Sequence, residues 1–182
     1  VVEVSTTPYE GQKPGTSGLR KKVVEFQKDN YLANFVQATF DALPQGEANG
    51  TLVVSGDGRY FSKEAIQIIV EMAMANGVTR VWVGLDGLMA TPVVSAVIRE
   101  RTTPEGDKPF GAFILTASHN PGGPKADFGI KYNCANGGPA PEGLTSKIFD
   151  NTKTISSFRT TKNVPKIDLS TVGTTKVGDS FE

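Results

Sequence analysis

The sequence predicts an α/β fold: a three-layer α/β/α domain with a mainly parallel, mixed sheet covered by helices. Three observations carry the prediction. Short apolar runs of strand type, Thr51 to Val54, Val81 to Val83 and Ala112 to Leu115, alternate with segments of helical periodicity, the pattern of helices returning over a parallel sheet. Glycine-rich turns follow each of those runs, where open α/β sheets place their ligands. The last strand-like run, Phe128 to Asn133, follows Ala112 to Leu115 too closely for a parallel crossover, so it pairs antiparallel and makes the sheet mixed.

Val1 to Val4 is a candidate short strand. It leads into Gln12-Lys13-Pro14-Gly15-Thr16-Ser17-Gly18-Leu19-Arg20-Lys21-Lys22, a loop with hydroxyls and a basic cluster. Arg20 has the planar fork that holds a phosphate through two parallel hydrogen bonds, and Thr16 and Ser17 offer hydroxyl donors. The same residues also read as a solvated basic turn. No Gly-Lys-Ser/Thr triplet closes the loop as a nucleoside-triphosphate loop requires.

From Asp29 to Leu43, apolar Leu32, Phe35, Val36, Phe40 and Leu43 recur at helical spacing, and Pro44 ends the run. After the strand at Thr51 comes the turn Ser55-Gly56-Asp57-Gly58-Arg59. A calcium loop needs oxygen ligands at alternating positions and only Asp57 offers one, so this is a structural turn in which Asp57 and Arg59 brace a neighbouring loop. Ser62 is the expected N-cap of a helix carrying Ala65, Ile66, Ile69, Val70, Met72 and Ala73, with Asn76-Gly77 at its end. Thr91-Pro92 gives an N-cap and first-turn proline for the helix through Val93, Val94, Val97 and Ile98. Met72, Met74 and Trp82 are core candidates, and Thr102 to Pro109 is a surface loop. Past Ala112 to Leu115 and the strand at Phe128, which returns Lys131 toward the loop after Leu115, a turn over Asn136 to Pro141 precedes a helix from Pro141 to Thr154. Residues 1–182 thus read as a single domain. Within it, 155–182 is a polar tail or the start of a connection.

The 182 residues carry 19 basic and 19 acidic side chains, so no global charge favours nucleic acid or an anionic membrane, and phosphate handling must be local. No apolar stretch is long enough to span a bilayer. The single cysteine, Cys134, excludes an internal disulfide and fits a reducing, cytoplasmic compartment.

The chemistry concentrates in Thr116-Ala117-Ser118-His119-Asn120-Pro121-Gly122-Gly123-Pro124, which holds the only histidine. Pro121 and Pro124 fix backbone angles, and Gly122 and Gly123 let the backbone approach a bulky anion. Adjacent Ser118 and His119 invite a hydrolase reading. Neighbouring side chains project in different directions, however, and a nucleophile elbow sets its serine between glycines one residue removed, which this loop lacks. Two readings of the residues remain: an anion cradle centred on Ser118, or a tight turn whose polar side chains satisfy its own backbone.

The loop resembles the phosphoserine loop of phosphoglucomutases within the α-D-phosphohexomutase superfamily. Four further stretches resemble that family in the same order: Q-K-P-G-T-S-G-L-R at 12–20, G-D-G-R at 56–59, D-F-G-I-K at 127–131 and N-G-G-P-A-P-E at 136–142. The resemblance runs from about Gln12 to Phe149 and is to the family's first, phosphoserine-bearing domain. It implies a mutase of carbohydrate metabolism that interconverts glucose 1-phosphate and glucose 6-phosphate through glucose 1,6-bisphosphate. By the same resemblance, Ser118 is the phosphoryl carrier, Lys131 moves the sugar-hydroxyl proton, Arg20 contacts the transferring phosphate and His119 neighbours the reaction. Thr16, Ser17 and Asn120, with Arg20 and Lys131, are the implied phosphosugar contacts. Mg²⁺ is implied through the phosphate of Ser118 and three aspartates of another domain. Those aspartates, a sugar-selecting loop and a last phosphate-binding loop are not found here, so the remaining domains of a longer chain are the expected partners and the isolated chain is expected to be inactive. The alternative is a non-catalytic phosphoprotein of the same fold, like the parafusin relatives linked to regulated secretion.

Overall fold

A computed structural model describes all residues from 1 to 182. In chain order the elements are β1 (Val2–Ser5), β2 (Leu19–Lys22), α1 (Val23–Phe26), α2 (Tyr31–Ala42), β3 (Thr51–Gly56), α3 (Ser62–Ala75), β4 (Arg80–Leu88), α4 (Thr91–Glu100), β5 (Gly111–Leu115), β6 (Asp127–Cys134), α5 (Glu142–Thr154) and β7 (Ser157–Thr160). The main sheet has the order β2-β6-β5-β3-β4. Strands β3, β4 and β5 are parallel, and β6 returns antiparallel to β5 as its close spacing requires.

The pleat sorts side chains into two cores. Leu52 and Val54 of β3, Phe113 and Leu115 of β5 and Phe128, Ile130 and Tyr132 of β6 face one way, into a core shared with α2, α3 and α5. Val53, Ala112 and Ile114 face the other way and are covered by Val94 and Ile98 of α4. The larger core is aromatic at its centre: Phe113 stacks edge-on with Phe40 and Tyr132, and Phe128 with Phe26 and Phe61.

Several local expectations change. Leu19–Lys22, read as part of a loop, is an edge strand paired antiparallel with β6, Arg20 opposite Gly129. A single turn of helix, α1, follows it directly. Strand β4 is longer than the apolar run Val81 to Val83, because the chain bulges at Gly84–Gly87 and rejoins β3 with Leu88 opposite Gly56. Ser62 is not an N-cap: Phe61, at φ 75°, precedes α3, and the hydroxyl of Ser62 is buried without a partner. The Phe61 ring packs on Phe128, which fixes the backbone one residue before the polar side chain. Ala90, not Thr91, precedes α4.

Beyond α5, β7 pairs antiparallel with β1. Val164, Val177 and Phe181 are buried in the larger core. Glu182 lies against the outer edge of β4, accepting from the Val81 amide at 2.8 Å and donating to the Thr79 carbonyl at 3.1 Å. No helix is long and apolar enough to cross a membrane.

Candidate functional site

The site forms where β5 ends and the chain turns back through residues 116–126 into β6. Ser118 is exposed and has φ 53°, a left-handed conformation uncommon outside glycine. Both of its own backbone groups are tied down. Its amide donates to Thr116 Oγ1 at 2.9 Å, and the Thr116 hydroxyl donates to Asp57 Oδ2 at 2.7 Å. Its carbonyl accepts from Arg59 Nη2 at 3.1 Å, and Arg59 grips Asp57 through Nε and Nη2 at 2.8–3.0 Å. With its backbone held, the Ser118 side chain projects outward, and Arg20 Nη2 donates to its Oγ at 2.7 Å.

The reach of Arg20 follows from the register. Arg20 stands opposite Gly129, on the face of the sheet that also bears Lys131 and Ile114. A side chain at 129 would meet the Thr116 carbonyl and, at 3.1 Å, Cγ of Arg20, so only glycine leaves Arg20 its path to Ser118. On this face α4 packs on β3 and β5, while Arg20 and Lys131 stand on the β2–β6 side. Arg20 keeps a second donor in hand, because its Nε is buried without a partner.

Electrostatics divide the charges into two kinds. Lys131 has its ammonium form disfavoured, first by burial and then by the positive charge of Arg20, so its pKa falls below the ordinary lysine value. It forms no ion pair. Asp57 is the reverse case: burial works against its ionisation, but hydrogen bonds from Arg59 and Thr116 outweigh this and lower its pKa. Asp127, at the start of β6, is held low by Lys22, which it meets at 2.7 Å.

Of the residues singled out in the sequence, Arg20 and Ser118 are in direct contact, and Lys131 lies within the electrostatic reach of Arg20. Thr16 and Ser17 form the tip of a tight turn closed by reciprocal hydrogen bonds between Gly15 and Gly18 at 3.0 Å. Thr16 lines a small cleft together with Lys131 and Tyr132, and Ser17 does not. His119 is exposed, and Asn120 is half-buried with its amide donating to the Ala117 carbonyl at 3.1 Å. Sequence reasoning missed Thr116 and Asp127 as parts of the network. Thr116 opens the serine loop and Asp127 opens the D-F-G-I-K stretch, but nothing in either motif shows the hydrogen bonds they make. No group of three or more His, Cys, Asp or Glu side chains is arranged to hold a metal.

Comparison with known proteins gives a consistent result. Residues 11–159 match the phosphoglucomutase/phosphomannomutase family, alpha/beta/alpha domain I. The chain is 66% identical over 176 residues to the cytoplasmic phosphoglucomutase of Bromus inermis, covering 96% of this chain and 30% of that protein. It is 62% identical over 176 residues to the cytoplasmic phosphoglucomutase of Pisum sativum, again 96% and 30%. The chain therefore spans 30% of the length of these relatives. The crystal structure of the exocytosis-sensitive phosphoprotein pp63/parafusin (phosphoglucomutase) from Paramecium, in its open form, superposes with a TM-score of 0.89 at 44% identity, covering 98% of this chain and 33% of that one. With the mixed sheet, the ordered loops and this match over most of its length, the chain belongs to the phosphoglucomutase/phosphomannomutase family and comprises its alpha/beta/alpha domain I.

Proposed function

We propose that this chain is the phosphoserine-bearing domain of a cytoplasmic phosphoglucomutase that interconverts glucose 1-phosphate and glucose 6-phosphate by way of glucose 1,6-bisphosphate, with residues 155–182 leading toward the other domains of the parent chain. The observation that carries the reading is the contact of Arg20 with the Oγ of an exposed serine whose backbone is fixed on both sides.

Phosphoryl transfer depends mainly on in-line positioning and on charge stabilisation. In the forward step the bond between phosphorus and Ser118 Oγ breaks, a bond from phosphorus to a sugar hydroxyl oxygen forms, and the hydroxyl proton passes to Lys131. Ser118 Oγ departs as an oxyanion facing Arg20. In the return step the bond between the other phosphorus of the bisphosphate and its sugar oxygen breaks, a bond from that phosphorus to Ser118 Oγ forms, and the freed sugar oxygen takes the proton back from Lys131. Lys131 suits the proton role because its lowered pKa enlarges the neutral fraction able to accept a proton. Arg20 meets the charge that develops on the transferring group, with Nη2 at the serine oxygen and Nε unpartnered. Thr16, Ser17, His119 and Asn120 complete the phosphosugar contacts in this reading.

The resemblance implies Mg²⁺. The residues of this chain do not form a metal site by themselves, since no acidic cluster is present. A phosphate on Ser118 would supply one oxygen, and other ligands would come from the rest of the parent chain. For the same reason the 182-residue chain alone is expected to be inactive. The parafusin similarity favours a second reading, a phosphoprotein acting in regulated secretion, in which Ser118 is modified without turnover. Assaying the full-length parent for conversion of glucose 1-phosphate separates the two. Turnover abolished by Ser118→Ala supports the mutase; an inert parent, or turnover untouched by the substitution, refutes it.

A further inference from the structure

We infer that Arg59 is a positioning residue for the phosphoryl carrier: it locks the Ser118 backbone in its left-handed conformation and joins the two ends of the reactive loop through one guanidinium. The inference rests on the reading of Ser118 as that carrier.

The hydrogen bonds form a closed ring that ties down both backbone groups of a single residue, Ser118. Ser118 N–H donates to Thr116 Oγ1, Thr116 O–H to Asp57 Oδ2, Arg59 Nη2 to that same Oδ2 at 2.8 Å, and Arg59 Nη2 back to the Ser118 carbonyl at 3.1 Å. Neither backbone group of Ser118 can rotate without breaking the ring. A fourth contact extends the lock: Arg59 Nη1 donates to the Asp127 carbonyl at 2.7 Å, where the loop re-enters the sheet. The guanidinium thus spans from the third residue of the loop to the first residue of β6.

Charge and exposure separate this role from ligand binding. Arg59's side chain is only 6% exposed, and its charge is paired bidentately with Asp57. Four of its five N–H groups are committed to Asp57, Ser118 and Asp127, which leaves little for a phosphate. Arg20 is the opposite case, with no carboxylate partner, one contact to Ser118 Oγ and a free Nε. One arginine faces the phosphate, and the other holds the serine that carries it. Lysine cannot replace the second, because an ammonium lacks the planar fork that reaches Asp57, Ser118 and Asp127 together.

The test uses the full-length parent enzyme with Arg59→Lys and, as a second variant, Asp57→Asn, which breaks the ring from its other side with little change in shape. Steady-state kinetics and thermal unfolding are read together, and Ser118 phosphate is measured after incubation with glucose 1,6-bisphosphate. Misplacing a reacting group by about an ångström costs about 10²-fold. The expected result is a kcat lower by roughly that factor, with KM within about twofold and Tm within a few degrees of wild type, and slower phosphate uptake at Ser118. If Arg59→Lys does not fold, Asp57→Asn decides by the same readouts. A folded variant with wild-type kcat overturns the positioning role, as does a KM rise at constant kcat, which would make Arg59 a binding residue. A wild-type parent without turnover and without phosphate on Ser118 would instead overturn the underlying functional reading.

Discussion

Arg20 and Ser118 are 98 residues apart in sequence and bonded at 2.7 Å in space, and glycine at 129, on the strand between β2 and β5, leaves room for the Arg20 side chain beside the Thr116 carbonyl. The contact places a permanent positive charge on the oxygen that would bear a phosphoryl group. Losing one well-placed donor to a developing charge costs about 10²–10³ in kcat in comparable sites. Arg20→Ala in the parent enzyme is expected to lower kcat by that order while changing Tm little, because Arg20 is not part of the apolar core. Kinetics paired with thermal unfolding checks both halves of the expectation.

Lys131 supplies a pH test. Burial and the charge of Arg20 both lower its pKa, so its amine should titrate below the ordinary lysine value in ¹³C NMR of the lysine side chains. Arg20→Met removes the second cause, and the Lys131 titration should move up toward the ordinary value. For folding the sign is the following: the unfolded chain holds this proton more tightly, so Lys131 detracts from stability below its folded pKa, and the penalty is relieved as pH rises from there to the unfolded value.

Asp57 runs the other way. Its folded pKa is depressed, so its contribution to stability is present above the unfolded value near 3.8 and is lost as pH falls through the folded value. Acid unfolding of Asp57→Asn should show a shallower dependence on pH in that window than wild type. An unchanged slope would mean that the Arg59 and Thr116 contacts do not persist in solution.

Gly129 is a steric test of the site's architecture. A methyl group there would press on the Thr116 carbonyl and on Arg20, so Gly129→Ala should cost about 1–3 kcal/mol in urea denaturation and displace Arg20 from Ser118. Wild-type stability together with wild-type activity would contradict the packing described.

Much of the architecture was legible because apolar period and turn chemistry agree. Leu52, Val54, Phe113 and Leu115 read as buried strand residues and are, and the short gap before Phe128 dictated the antiparallel return of β6. Strand β2 was not legible. Its one apolar residue, Leu19, is followed by three cations, which suit an edge strand as well as a loop, and only pairing with β6 distinguishes them. Strand β7 likewise depends on β1, a partner more than 150 residues away in the chain. At the site, residue types pointed to Ser118, Arg20 and Lys131, and Arg59 could be read as a brace. That its fork closes a ring through Thr116 and reaches Asp127 depends on three loops meeting, which no local pattern encodes.

The most direct test of the central claim is phosphopeptide mapping of the full-length parent after exposure to glucose 1,6-bisphosphate, and again after a chase with glucose 6-phosphate. Phosphate is expected on the peptide containing Ser118, close to one per molecule, discharged by the chase at a rate compatible with turnover. Phosphate on a different residue, or a Ser118 that stays unmodified while the enzyme turns over, would contradict the claim.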